Sequence, residues 1–274
     1  MGRMDGKVAL ITGAARGQGR SHAIRLAEEG AEIIAVDLCE QIGSVPYPLA
    51  TPGDLDQTVH LVEELDHRCV AVQADVRNFA QMQAAVDRGL SELGHIDVVC
   101  ANAGIGSFGP AWELSDEQWE DVIDTNLTGV WRTLKAVIPT MIRQETGGSL
   151  IITSSVAGLE GFSNLAHYTS AKHGVIGLMR TLVNELSAHR IRVNCVNPTT
   201  VDTDMIDNDA AYAVFGATSK EGMGQTMLML NALPVPWVEA VDVSNAVLFL
   251  ASDESRYVTG LSLTVDAGLH TRLG

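Results

Sequence analysis

The stretch Val8-Ala9-Leu10-Ile11-Thr12-Gly13-Ala14-Ala15-Arg16-Gly17-Gln18-Gly19 decides the fold. Its first four residues form a short continuous apolar run, which reads as a strand buried on both faces. A glycine-rich turn follows, and then the helical pattern Ser21–Glu29. Strand, tight turn and helix in that order open a βαβ unit. Outward from it, Ala31–Val36, Cys69–Val72, Val98–Ala101, Leu150–Thr153, Ile191–Val196 and Leu261–Val265 also read as buried strands. Amphipathic segments separate most of them, the arrangement that puts helices on both faces of a parallel sheet. The expectation is one α/β domain over residues 1–274, with a seven-stranded, mostly parallel, doubly wound sheet. No linker, repeat or low-complexity tract divides it.

Glycines in the turn let the backbone bend tightly and approach a pyrophosphate, while the helix N-terminus offers free N–H groups and a positive dipole end. Asp37 closes the second strand about 20 residues on, where an acid accepts hydrogen bonds from adenosine ribose hydroxyls. A carboxylate there repels a 2′-phosphate and favours NAD over NADP. Arg16 is the opposing signal, since a basic residue in the turn can bind that phosphate. The carboxylate–phosphate conflict is the harder one to relieve, so the expectation is NAD.

Composition excludes more than it assigns. The 274 residues carry 18 Lys+Arg against 34 Asp+Glu, a formal charge of −16, with 46% hydrophobic residues. That apolar fraction excludes global disorder. An acidic chain without a basic block lacks the footprint of a nucleic-acid binder and is poorly suited to anionic membrane surfaces. Cys39, Cys69, Cys100 and Cys195 are scattered, so neither a metal site nor a disulfide framework is expected. No apolar run is long enough for a signal peptide or a membrane span, and a cytoplasmic location is expected.

Two segments break the rule of short connections. Residues 39–56 hold Pro46, Pro48, Pro52, Gly43 and Gly53. Residues 202–237 hold Met205, Met223, Met227 and Met229 with Tyr212, Phe215 and Trp237. The second segment reads either as a Met-rich flap over an apolar pocket or as an extra helix packed on the core.

The spacing T-G-x-x-x-G-x-G resembles the short-chain dehydrogenase/reductase family, which has a Rossmann-type fold. Further matches run along nearly the whole chain: Asp75-Val76, Asn102-Ala103-Gly104, Asn197-Pro198, Val201 and Thr203. Ala101 stands where the family usually has Asn. Thr199 replaces its usual Gly after the proline, which puts the local backbone path in question. The resemblance implies cofactor contacts from Gly13, Arg16, Gly17, Gln18, Gly19, Asp37, Leu38, Asp75, Val76, Asn102, Ala103, Gly104, Tyr168, Lys172, Pro198, Val201 and Thr203.

Tyr168 and Lys172 lie one helical turn apart on one face, in H-Y-T-S-A-K-H-G-V. Alone, such a pair is usually solvated surface, a serine after a strand is usually a cap, and a helical Asn is usually a satisfied polar residue. In order, Asn126, Ser155, Tyr168 and Lys172 match the family's catalytic tetrad. Hydride removal from an alcohol requires its hydroxyl proton to leave as well. A free tyrosine with a pKa near ~10 is a poor base at neutral pH. A neighbouring ammonium and a positive nicotinamide ring are expected to lower it. Ser155, chosen over Ser154 by its spacing from Tyr168, would stabilise charge on the substrate oxygen. The resemblance further implies that Lys172 holds the nicotinamide ribose and that Asn126 fixes a proton-carrying water.

The 39–56 insertion directly after Asp37, with the turn sequence, is similar to the branch containing carveol dehydrogenases and mycofactocin-coupled dehydrogenases. That branch implies an NAD that does not exchange freely and an external redox partner. The expected substrate is a small apolar, alicyclic or terpenoid secondary alcohol or its ketone. An NADP-dependent carbonyl reductase and a non-catalytic dinucleotide-binding protein remain as alternatives. Val265-Asp266-Ala267-Gly268 resembles the family's C-terminal strand motif and implies a homo-oligomer, dimer or tetramer.

Overall fold

Successive residues of an extended strand point to opposite faces of a sheet, and the apolar runs here supply both faces. A computed structural model describes residues 2–273. Its elements in chain order are β1 (Val8–Thr12), α1 (Gly17–Ala27), β2 (Glu32–Asp37), α2 (Pro52–Glu63), β3 (Cys69–Gln73), α3 (Phe79–Leu93), β4 (Val98–Ala101) and α4 (Asp116–Ile123). There follow α5 (Gly129–Gln144), β5 (Gly148–Thr153), α6 (Ala166–Leu186), β6 (Ile191–Pro198), α7 (Asp209–Val214), α8 (Lys220–Leu230), α9 (Ala240–Ala251), β7 (Ser262–Val265) and α10 (Leu269–Leu273). The strands form one sheet in the order β3-β2-β1-β4-β5-β6-β7. Every pairing is parallel, so the expected doubly wound sheet is present and more uniform than "mostly parallel".

Val8, Leu10, Ile34 and Val36 pack with α3, α5 and α6 through Met82, Leu134, Met141 and Met179. Ala9, Ile11, Ile33 and Ala35 face the other way, onto α1, α2 and α9 through Leu26, Val62, Val243 and Val247. Strand order reverses between β1 and β4, which opens a crevice beyond their C-terminal ends, the place where open α/β sheets bind ligands.

Several boundaries differ from the sequence pattern. Helix α1 starts at Gly17 rather than Ser21, because the glycine turn itself forms its first, non-apolar turn, and it ends at Ala27. Strand β5 begins earlier, at Gly148, and β6 runs on to Pro198, whose partner in β7 is Val265. Asn126 lies in a π-helical turn, Asp124–Thr128, between α4 and α5, rather than in regular helix. Such turns concentrate at functional sites.

The irregular part of the first long connection ends at Thr51. That residue caps α2 through a reciprocal capping box with Asp54, and Pro52 occupies the first turn, where its missing N–H costs nothing. Residues 39–50 are ordered around Gln41. Its amide nitrogen donates to the carbonyls of Ile42, Val45 and Tyr47, and its amide oxygen accepts from Leu49 N. Ile42, Val45 and Tyr47 are buried against Ile105 and Val122. The second long segment is closed at its base by a bridge between Val201 and Val238 and carries α7 and α8.

Removing the Gln41 amide should loosen the insertion alone. Each lost bond is worth roughly 1 kcal/mol, so Gln41→Ala should speed amide exchange across residues 40–50 by roughly tenfold or more. Exchange in the sheet should not change. Unaltered exchange in 40–50, measured by mass spectrometry, would remove Gln41 as the organiser.

Candidate active site

The crevice holds the glycine turn because two backbones approach closely there. A Cβ on Gly13, whose φ is +68°, would lie 2.9 Å from Ala103 Cα, and one on Gly19 would lie 1.9 Å from the Gly13 carbonyl oxygen. Only glycine fits at either position. Thr12, whose role the sequence reading left unassigned, joins the two sides: its Oγ1 accepts both Asn102 N and Ala103 N, each at 3.1 Å. Asn102 donates from Nδ2 to Thr12 O and accepts from Thr153 Oγ1, which fastens the ends of β1, β4 and β5 together. Thr58 and Arg20, also outside the sequence-predicted set, donate to carbonyls of the turn, Ala14 and Ala15.

One cavity of about 290 Å³ runs from this turn across the sheet's C-terminal edge. Its walls include every predicted cofactor residue: Gly13, Arg16, Gly17, Gln18, Gly19, Asp37, Leu38, Asp75, Val76, Asn102, Ala103, Gly104, Tyr168, Lys172, Pro198, Val201 and Thr203. Ser155 lines it as well. Asn126 does not; it is fully buried behind the wall. Its Oδ1 accepts Ile105 N at 2.9 Å and its Nδ2 donates to Ile105 O at 2.8 Å. Its side chain thus holds the Ile105 backbone, and its Oδ1 and Lys172 Nζ both lie beside Gly104.

Asp37 accepts Ala15 N at 2.9 Å and Cys39 N at 3.1 Å, which orients its carboxylate between the turn and the insertion. Arg16 donates to Asp204 Oδ2 at 2.7 Å and to the Pro48 carbonyl, so it bridges the insertion and the second long segment over the cavity. Asp75 is paired with Arg77, which also binds Asp121, and Asp121 accepts Ser44 Oγ of the insertion at 2.6 Å. Thr199 needs no left-handed backbone. Its N donates to Val265 O at 3.2 Å, which settles the chain path in question there.

The same cavity has apolar walls from Phe108, Phe162, Ile206, Phe215, Met227 and Leu230. Of the four methionines in the second segment, Met205 and Met227 reach the cavity wall, Met223 is buried beneath with Tyr212, and Met229 is exposed. Ser154 and Ser155 both line the cavity, but Ser154 Oγ donates to Lys172 O, whereas Ser155 Oγ caps the following turn through Ala157 N and is the one bonded to Tyr168. Lys172 Nζ donates to Thr153 O at 2.8 Å and sits 5.4 Å from the Tyr168 ring centre. Burial lowers the Lys172 pKa to about 8. Burial also raises the Tyr168 phenol above its ordinary value, and the Ser155 hydrogen bond only partly opposes this. The expected lowering of Tyr168 is therefore absent from the protein alone.

Among the described residues, no cluster of His, Cys, Asp and Glu could hold a metal ion, and all four cysteines are free. No described helix is long and apolar enough to cross a membrane.

A glycine turn at a sheet switch point, an acid on β2 and a Tyr–Lys pair beside an apolar chamber define a dinucleotide-binding oxidoreductase site. The sequence profile of the short chain dehydrogenase family matches residues 7–212, and the chain belongs to that family. It is 51% identical to a (-)-trans-carveol dehydrogenase from Rhodococcus erythropolis, over 98% of this chain and 99% of that one. It is 38% identical to a trans-4-hydroxycyclohexanecarboxylate dehydrogenase from Sinomonas cyclohexanicum, over 97% and 93% of the two chains. Among solved structures, carveol dehydrogenase from Mycobacterium avium in complex with NAD superposes with a TM-score of 0.96. The two are 52% identical, over 98% and 99% of the two chains.

The close approach at Gly19 gives a direct check on the turn. Gly19→Ala forces the Gly13 peptide to move, an overpacking cost of about 2–3 kcal/mol, and should lower Tm by roughly 5–10 °C. A Tm unchanged in calorimetry would contradict the backbone contact described here.

Proposed function

We propose that this chain is an NAD-dependent oxidoreductase that interconverts a small apolar secondary alcohol and its ketone, with Tyr168 as general acid/base. The observation that carries the reading is the placement of Tyr168, Lys172 and Ser155 in one apolar chamber continuous with the glycine turn. The residues fit the cofactor. Helix α1 points its N-terminus at the turn; Gln18 Oε1 in that turn and Thr199 Oγ1 just after β6 are buried without protein partners, and both residues line the cavity. Asp37 supports NAD over NADP, and Arg16, committed to Asp204 and Pro48, is not free for a 2′-phosphate.

Bound NAD supplies the hydride acceptor and a positive ring. Tyr168, as phenolate, would take the hydroxyl proton that an alcohol must lose on becoming a carbonyl. Ser155 donates to the oxygen on which charge changes. Lys172, held by Thr153 O, would favour the phenolate electrostatically and hold the nicotinamide ribose. Asn126 holds the Ile105 peptide beside them. The aromatic and aliphatic lining suits an alicyclic or terpenoid substrate, the kind named for the carveol and cyclohexane relatives.

The insertion closes over the cofactor through Arg16, Ser44 and Tyr47, and these bonds would have to break for NAD to leave. Such an enzyme keeps its NAD and is reoxidised by an external redox partner, as in mycofactocin-coupled dehydrogenases. It works as one domain, in the cytoplasm, and as a homo-oligomer, dimer or tetramer. The half-exposed Trp119 and Trp131 on α4 and α5 are in keeping with the last point.

Purified protein should carry NAD(H) through gel filtration, and an alicyclic secondary alcohol should reduce it in a single turnover. Protein that leaves the column free of nicotinamide would overturn the retention. Tyr168→Phe should cut that turnover by roughly 10²–10⁴-fold with NAD content unchanged, and near-normal turnover would sink the Tyr168 assignment.

Lys172 adds a pH signature. Between about 8 and 10.5 the unfolded chain holds a proton that the native Lys172 has released. Native stability from this residue therefore rises with pH across that window. Lys172→Met should remove this rise in urea-unfolding curves as well as abolishing turnover. A rise identical to wild type would show that Lys172 is not buried in this way.

A further inference from the structure

Three consecutive residues after β4 are each gripped by a side chain from a different part of the chain. Asn126, in the π turn, holds both polar atoms of the Ile105 peptide. His167, at the start of α6 and directly before Tyr168, bonds through Nε2 to Ser107 Oγ at 2.7 Å, and both are fully buried. Between them, Gly106 N donates at 2.9 Å to the hydroxyl of Tyr47, which comes from the insertion 59 residues away.

Tyr47 is buried, with 4% exposure, in the cluster of Ile42, Val45, Ile105 and Val122, and Tyr168 and Met205 pack against that cluster. Burial pushes its phenol above the ordinary value, so it remains a neutral O–H. Accepting from Gly106 leaves that O–H still able to donate. No described protein atom receives it, and the residue lines the same cavity as Tyr168 and Lys172. A buried donor of this kind needs an acceptor, and the cavity is where one can be supplied.

We infer that Tyr47 is a positioning residue of the reaction, through which the insertion fixes the Ile105–Ser107 loop beside Tyr168 and Lys172. This rests on the proposed function, and it assigns the insertion a task beyond covering the cofactor. A cover needs only bulk at this position. A device that sets the loop needs the hydroxyl, because one buried N–H, Gly106 N, depends on it. Small displacements near reacting atoms are expensive in rate.

The test compares wild type, Tyr47→Phe and Tyr47→Leu, each purified with its own nicotinamide. Three readouts are NAD(H) content per chain, amide exchange across residues 104–108, and single-turnover reduction of bound NAD at varied alcohol concentration. For Tyr47→Phe the inference expects unchanged NAD content, exchange in 104–108 faster by about tenfold, and a maximal single-turnover rate per loaded site lower by about tenfold. The half-saturating alcohol concentration should change by less than about threefold. Tyr47→Leu, which also loses the ring against Tyr168, should show these effects and lower NAD content. A Tyr47→Phe protein with wild-type rate per loaded site overturns the inference, whether or not it loses NAD, since Tyr47 is then cover alone. Wild-type exchange in 104–108 also overturns it. If wild-type protein reduces no NAD with any alcohol, the proposed function fails, while the exchange measurement still decides whether Tyr47 holds the loop.

Discussion

The site depends on the hydroxyl of Thr12. At the end of β1 the chain must turn toward β2 while β4 arrives from the other side, and the two backbones meet with no side chain between them at Gly13. Two N–H groups from Asn102 and Ala103 are left without a strand partner there, and Thr12 Oγ1 accepts both. Buried backbone donors without partners are costly, so this one oxygen both closes the sheet's switch point and sets the spacing of the crevice. The glycine turn, the Asn102 bridge to Thr153 and, through the Thr153 carbonyl, the Lys172 ammonium all hang from that junction.

From there the Tyr168–Lys172 pair follows with little freedom. Lys172 lies on the buried face of α6, its charge matched by one carbonyl, and burial pulls its pKa to about 8. Tyr168, one turn earlier, is shifted the opposite way. Both shifts have the same cause: a low-dielectric chamber disfavours the charged form of each group. A positive ring brought beside the phenol opposes that penalty where it is largest. The apolar lining thus has two effects, favouring apolar groups inside the chamber and strengthening every charge interaction there.

The sheet and the Tyr–Lys pair were legible in the sequence because both are local patterns. Buried parallel strands show as apolar runs, and a four-residue spacing on a helix places two side chains together. The start of α1 was not legible, since its first turn is glycine and polar residues with no apolar period. Nor was the π turn at Asn126, where the sequence continues a helical pattern while the hydrogen bonding changes. The roles of Thr12, Gln41 and Tyr47 were hidden for another reason. Each acts on backbone groups, Thr12 and Tyr47 on ones far along the chain, and no periodicity records which amide a hydroxyl will meet. In the protein alone burial raises the Tyr168 phenol, a tertiary effect that the four-residue spacing does not record.

The insertion is held in two different ways, and their magnitudes separate them. At its rim are polar contacts: Arg16 with Asp204 and Pro48, and Ser44 with Asp121. Part-exposed pairs of this sort contribute about 0–1 kcal/mol each and weaken with salt. At its centre are Ile42, Val45 and Tyr47, each nearly free of solvent. Burial of such side chains is worth roughly 1.5–3 kcal/mol apiece. The apolar centre therefore contributes more to holding the insertion in place than the polar rim does. Salt would weaken the rim and leave the centre, and that centre is shared with Ile105 of the loop beside Tyr168 and Lys172.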